Sequence, residues 1–174
     1  MATWNIDPMH SEVQFKVKHL VISTVTGTFN TFSATMQASN EDFSDAQVSF
    51  SADIDSINTN NALRDGHLKA DDFFNAASYP QMTFKSTAIV QAGEKYKVTG
   101  DLTIRGTTLP TMLDVEYGGT AVDTYGQTKV GFEVKGKINR KDFGLTWSAL
   151  TEAGGLVVAD DIHLLLNIQM VKQA

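Results

Sequence analysis

Glu12-Val13-Gln14-Phe15-Lys16-Val17-Lys18-His19 alternates without a break. Successive strand residues point to opposite faces, so Val13, Phe15, Val17 and His19 share one face and Glu12, Gln14, Lys16 and Lys18 share the other. One side of this strand is apolar and the other is wet. The same period returns in Ala46, Val48, Phe50, Ala52 and Ile54, in Met82, Phe84, Ala88 and Val90, and in Tyr96, Val98, Leu102 and Ile104. Further on come Leu109, Leu113, Val115 and Tyr117, then Val130, Phe132, Val134 and Ile138, then Ile162, Leu164, Leu166, Ile168 and Met170. Between Val21 and Ala38 the apolar phase switches from Val25 and Phe29 to Phe32, Ala34 and Met36, which predicts a bend near Asn30.

Turn chemistry separates the runs: Ala92-Gly93-Glu94, Gly106-Thr107-Thr108, Gly118-Gly119 and Tyr125-Gly126 read as tight connections between antiparallel strands. About eight strands in this order close into a barrel without exposed edges, wide enough for side chains or one ligand. A two-sheet sandwich is the structural alternative. One stretch breaks the period, Thr59 to Phe74, where Thr59 suits a helix cap and Asp71 and Asp72 suit the start of a second short helix. Tyr79-Pro80 ends it. The reading is all-β: an extended eight-stranded antiparallel barrel with a helical insert, about residues 59–76, between the fourth and fifth strands.

Composition narrows the function. The 174 residues fit one domain spanning 1–174, with 42% hydrophobic and 20% charged residues. A net charge of −6 without a basic cluster disfavours nucleic acid. Cysteine is absent, which removes disulfides, thiolate metal sites and a Cys nucleophile. No apolar run reaches the roughly 18 residues of a transmembrane helix. Met1-Ala2-Thr3-Trp4-Asn5-Ile6-Asp7 carries neither the basic nor the apolar region of a secretory leader. As written the chain reads as cytoplasmic, with a periplasmic or secreted location the alternative if a leader has been removed.

Several motifs, in order along nearly the whole chain, resemble the YceI-like family of lipocalin-like proteins. They are Trp4-x-Ile6-Asp7-x-x-His10-Ser11, Phe15-x-Val17-x-His19-Leu20 leading into Val25-x-Gly27-x-Phe29, and Arg64-Asp65-x-His67-Leu68 with Asp72-Phe73-Phe74. Tyr79-Pro80-x-x-Thr83-Phe84, Gly100-Asp101-Leu102-Thr103-Ile104-Arg105-Gly106 and Ile138-Asn139-Arg140-x-Asp142-Phe143-Gly144 complete the set. The resemblance implies a barrel whose interior is an apolar tunnel for a polyisoprenoid, an isoprenoid quinone or a fatty acyl chain, with no catalytic residue and no cofactor.

A long lipid is held only by a surface that removes it from water, at about 25 cal/mol per Å². The candidate lining and mouth residues, large side chains spread over different strands plus one histidine, are Phe15, Val17, His19, Val25, Phe29, Phe50, Phe84, Leu102, Phe132, Phe143, Trp147 and Leu164. The bland alternative is that they simply fill the barrel. His10, His19, His67 and His163 lack metal-ligand spacing, so no metal is expected. Arg64, Asp65 and His67 read as an ion pair and cap, Asp101 and Arg105 as outward residues of a strand, and Asn139, Arg140 and Asp142 as a self-bonded polar turn. Gly118-Gly119 and Gly154-Gly155 precede no Lys-Ser/Thr helix, which disfavours nucleotides.

Three functions compete: a lipid carrier or reservoir, an enzyme using Asp7, His10 or His19 on a hydrophobic substrate, and a filled barrel acting as an interaction or stress-response module. A homodimer is compatible with each.

Overall fold

The computed structural model describes residues 1–148 and 158–174. Its strands are β1 (Ala2–Ile6), β2 (Glu12–His19), β3 (Ser23–Phe29), β4 (Phe32–Ala38), β5 (Gln47–Asp53), β6 (Ile57–Asn58), β7 (Gln81–Ala92), β8 (Lys95–Ile104), β9 (Thr107–Val122), β10 (Thr128–Asn139) and β11 (Asp161–Lys172). Three pairs of segments run end to end. A 3-10 turn at Pro8–His10 joins β1 to β2, Asn30 and Thr31 join β3 to β4, and a 3-10 turn at Ile54–Ser56 joins β5 to β6. The result is eight long antiparallel strands in sequence order. β11 closes the ring, pairing Leu164 with Phe15 on β2 and Met170 with Ile6 on β1. It is a barrel and not a sandwich.

The kink between β1 and β2 would strand backbone groups, and polar side chains take them up. The Asp7 amide donates to Gln169 O at 2.8 Å and the Gln169 amide donates to Ser11 Oγ at 2.9 Å. Asp7 Oδ1 accepts the Met9 amide at 3.1 Å, and Oδ2 sits 2.8 Å from His10 Nδ1. The Asp7, His10 and Ser11 of the N-terminal motif are thus consumed by the bend. The bend expected near Asn30 is present as the break between β3 and β4.

Four local expectations are corrected. Because β1 and β2 count as one bent strand, the insert follows the third long strand, not the fourth. It holds one helix, α1 (Ala62–Lys69), capped by Asn61, whose Oδ1 accepts the Arg64 amide at 3.1 Å. Thr59 lies too far upstream to cap; its amide and hydroxyl both donate to Asp65 Oδ1. No second helix starts at Asp71, because the Phe74 and Ala76 amides fold back onto Leu68 O and Lys69 O and close the chain into turns.

The third correction concerns Gly118-Gly119, which is no hairpin turn. Gly131 pairs with Gly119 while Phe132 pairs with Tyr117, leaving Gly118 as a bulge inside β9, and Gly119 has a φ of 123°. The actual turn is Asp123–Gln127, where Asp123 Oδ1 accepts the Tyr125 and Gln127 amides. The fourth concerns Arg105. It leaves the strand in a left-handed conformation (φ 51°) and donates to Gly144 O and Asp71 O at 2.5 and 2.7 Å, tying the β8–β9 turn to two loops. Asp101 does face outward, opposite Lys85.

One end of the barrel is stoppered by residues 39–46. Phe43 enters from this loop with a φ of 59°, is buried, and stands edge-on to Trp4 and Phe132 at 5.6 and 5.5 Å. The loop is pinned by two carboxylates. Asp45 accepts the Asn40 and Ser39 amides and Asp42 accepts the Ser44 hydroxyl and amide, while Tyr96 Oη donates to Asp42 O.

Those bonds favour the ionised forms: the Ser44 hydroxyl and amide hold the Asp42 carboxyl below its ordinary value of 3.8, and the Asn40 and Ser39 amides do the same for Asp45. A lowered folded-state value means that this contribution is complete above 3.8 and is lost as the pH falls through the depressed folded values. Hydrogen exchange at the Ser39, Asn40 and Ser44 amides is therefore expected to lose protection as the pH falls below about 3.8, while amides in β7 and β8 keep theirs.

Candidate functional site

The inward faces of the strands leave two adjacent chambers that share part of their lining. The deep chamber encloses about 180 Å³ between the Phe43 stopper and the barrel waist. The outer chamber encloses about 240 Å³ beneath α1 and the segment after β10. Phe15, Phe29, Met82, Ile104, Ile138 and Leu164 line both and form the waist between them.

The deep chamber is dry in character. Its few polar side chains are already engaged, Tyr96 with Asp42 O and Thr111 with Leu109 O, while the Gln14 side chain bonds Glu12 on the outer face of β2. An apolar cavity without open hydrogen-bonding groups gives water no partners and suits hydrocarbon.

The outer chamber is different. Lys18, His19, Thr59, Arg64, His67 and Arg140 stand among its apolar walls. Arg64 spends Nε and Nη2 on Thr59, at 2.8 and 2.6 Å, leaving Nη1 uncommitted among the described residues. His67 Nε2 lies 2.7 Å from Asp72 Oδ2, and its ring stands edge-on to Phe73 and Trp147. The His19 side chain makes no hydrogen bond among the described residues. Arg64 Nη1, His19 and Lys18, whose ammonium has no partner among the described residues, are groups that can meet a polar head.

Arg140 was expected in a self-bonded polar turn, and the structure buries it among carbonyls of more distant residues. Asn139 does cap that turn, accepting the Lys141 amide at 3.0 Å. The Arg140 guanidinium, 3% exposed, donates to Leu145 O, Trp147 O, Ala159 O and Val158 O at 2.6–3.2 Å. Burial lowers its pKa and the Asp160 carboxylate, 3.6 Å away, raises it, with burial the larger effect. The side chain thus knits the segments on both sides of residues 149–157 to the end of β10.

Each candidate residue can now be placed. Phe50, Phe84, Leu102 and Phe132 face the deep chamber; Val17, His19, Val25, Phe143 and Trp147 face the outer one; Phe15, Phe29 and Leu164 face both. Arg64 and Asp65, expected as an ion pair and cap, instead meet through Thr59, with no ion pair between them among the described residues and the cap made by Asn61; His67 pairs with Asp72, and Arg64 also reaches the cavity wall. Sequence reasoning left out Met82, Ile104 and Ile138 at the waist, all on inward faces it had identified. It also left out Phe43, whose loop has no period to read. Asp7 and His10 lie outside the lumen, at the kink.

Known proteins share this architecture. The family model described as the YceI-like domain matches residues 4–170. The chain belongs to the YceI-like family. Protein YceI of Salmonella newport is 34% identical, the match covering 99% of this chain and 88% of that one. Among solved structures, BcnA of Burkholderia cenocepacia superposes with a TM-score of 0.82 at 25% identity, covering 94% and 98% of the two chains. The YCEI protein of Campylobacter jejuni gives 0.77 at 38% identity, covering 91% of each. A polyisoprenoid-binding domain from Saccharophagus degradans, 18% identical with 98% of each chain covered and a TM-score of 0.67, shares the fold.

Proposed function

We propose that this YceI-like barrel binds and carries, or sequesters, a single-chain lipid, with an isoprenoid or acyl tail through the waist into the deep chamber and the head in the outer one. The observation that carries the reading is the pairing of a dry apolar chamber with an outer chamber holding uncommitted Arg64 Nη1 and His19. A head that accepts a hydrogen bond or carries negative charge suits these donors. The Saccharophagus domain of the same fold is described as polyisoprenoid-binding, which agrees with the tail chemistry.

The competing readings lose ground on the same geometry. A filled barrel predicts no lumen, and two adjacent chambers are present. The enzymatic reading needs an acid or base inside. Asp7 and His10 are committed at the kink, leaving His19 as the remaining suspect of the three.

The test is a chain-length series of prenols and fatty acids displacing a fluorescent apolar probe. Each buried methylene adds about 0.8 kcal/mol, so affinity is expected to rise roughly fourfold per carbon until the tail meets Phe43, then level off. Affinity that is flat with chain length contradicts an enclosed tail. His19→Ala is expected to keep tail-dependent binding.

A further inference from the structure

We propose that the tip of the β2–β3 hairpin docks the barrel on an anionic lipid bilayer, inserting Leu20, Val21 and Ile22 beside the outer chamber. The turn runs from His19 to Ile22, closed by the Ile22 amide donating to His19 O at 3.3 Å. Its central residues, Leu20 and Val21, both have positive φ, 55° and 66°. Turns of that kind select Asn-Gly, and a β-branched residue there is strained. Yet the strain secures no core packing: Val21 and Ile22 are 72% and 84% exposed. Strained, water-facing apolar side chains mark a surface kept for contact.

The charges around the tip point to the partner. From Val13 to Asn40 there is no Asp or Glu, in a chain of net charge −6, while Lys16 and Lys18 stand just below the tip. Neither lysine forms an ion pair among the described residues. The nearby acids Asp160 and Asp161 lie close to Lys141 and Lys137, at 3.2 and 3.9 Å. Below the tip, Val17, His19 and Val25 line the outer chamber, and on α1 the neighbour of Arg64, Leu63, is 89% exposed. Three contiguous side chains fall far short of the roughly 800 Å² per partner of a stable protein interface. An apolar wedge with a basic collar suffices for the headgroup boundary of a bilayer.

The proposal stands on the hairpin and not on the cargo, so its test needs no bound lipid. The full chain is sedimented with phosphatidylcholine vesicles, with and without phosphatidylglycerol, and the paired variant Leu20→Asn with Val21→Gly is run beside it. That variant supplies the residues the turn prefers, so it is expected to unfold no more easily than the parent. It is expected to bind phosphatidylglycerol vesicles about tenfold or more weakly. Replacing Lys16 or Lys18 by Gln is expected to cost roughly fivefold each, an effect that added salt erases. Absence of parent binding to phosphatidylglycerol vesicles, or equal binding by the tip variant, overturns the proposal. So does a tip variant that changes only the oligomeric state in sedimentation velocity, since the tip would then contact a second copy of the chain.

Discussion

Leu164→Trp is expected to exclude lipid from the deep chamber while leaving the barrel folded. Leu164 belongs to the waist, facing both chambers, and its strand is held by pairing to β2 and β10. A larger ring here grows into open space, so overpacking costs less than in a filled core. A tail stopped at the waist loses the burial of several methylenes. Four of them, at about 0.8 kcal/mol each, amount to about 3 kcal/mol, more than a hundredfold in affinity. Probe displacement with a long-chain fatty acid, beside a melting curve, checks both halves. Unchanged affinity in a folded variant places the tail elsewhere.

The second large effect is structural. Arg140→Met removes a buried guanidinium that satisfies four carbonyls, on Leu145, Trp147, Val158 and Ala159. Methionine fills similar volume but donates nothing, so the four carbonyls lose their donor and Asp160 keeps only Lys141. The expected loss is on the order of 3–5 kcal/mol, a fall in Tm of roughly 6–20 °C for a chain of this size. Arg140→Lys is expected to recover little of it, because an ammonium cannot span the fork-shaped array. The wall formed by Phe143, Leu145 and Trp147 depends on that array, so lipid binding should weaken together with stability.

These two residues show how unevenly the sequence discloses the molecule. Leu164 was readable because strand alternation is a local rule: it sits in Ile162-x-Leu164-x-Leu166-x-Ile168, and facing inward follows from the pleat. The barrel followed from eight such strands, and the bend near Asn30 from a change of phase. Arg140 was misread for the opposite reason. Its partners lie at Leu145, Trp147, Val158 and Ala159, and nothing local distinguishes a buried arginine collecting distant carbonyls from one in a self-bonded polar turn.

Phe43 was invisible on similar grounds, since a side chain swung into the barrel from an aperiodic loop leaves no pattern. Gly118-Gly119 misled because a glycine pair signals positive φ or close approach without saying whether a turn or a bulge uses it. The lining residues were easier to identify than the space between them. Whether Phe15, Phe84 and Phe132 meet across the axis or leave a lumen depends on barrel diameter, which follows from strand number and stagger.

The central claim is that the lumen holds one long apolar molecule. Native mass spectrometry of the purified protein, with solvent extraction and lipid identification on the same sample, addresses it most directly. The expected result is a discrete adduct of one molecule per chain that extracts into organic solvent, is identified as an isoprenoid or acyl lipid, and is lost in the Leu164→Trp variant. A clean apo mass that stays unchanged after incubation with prenols, quinones and fatty acids would contradict it.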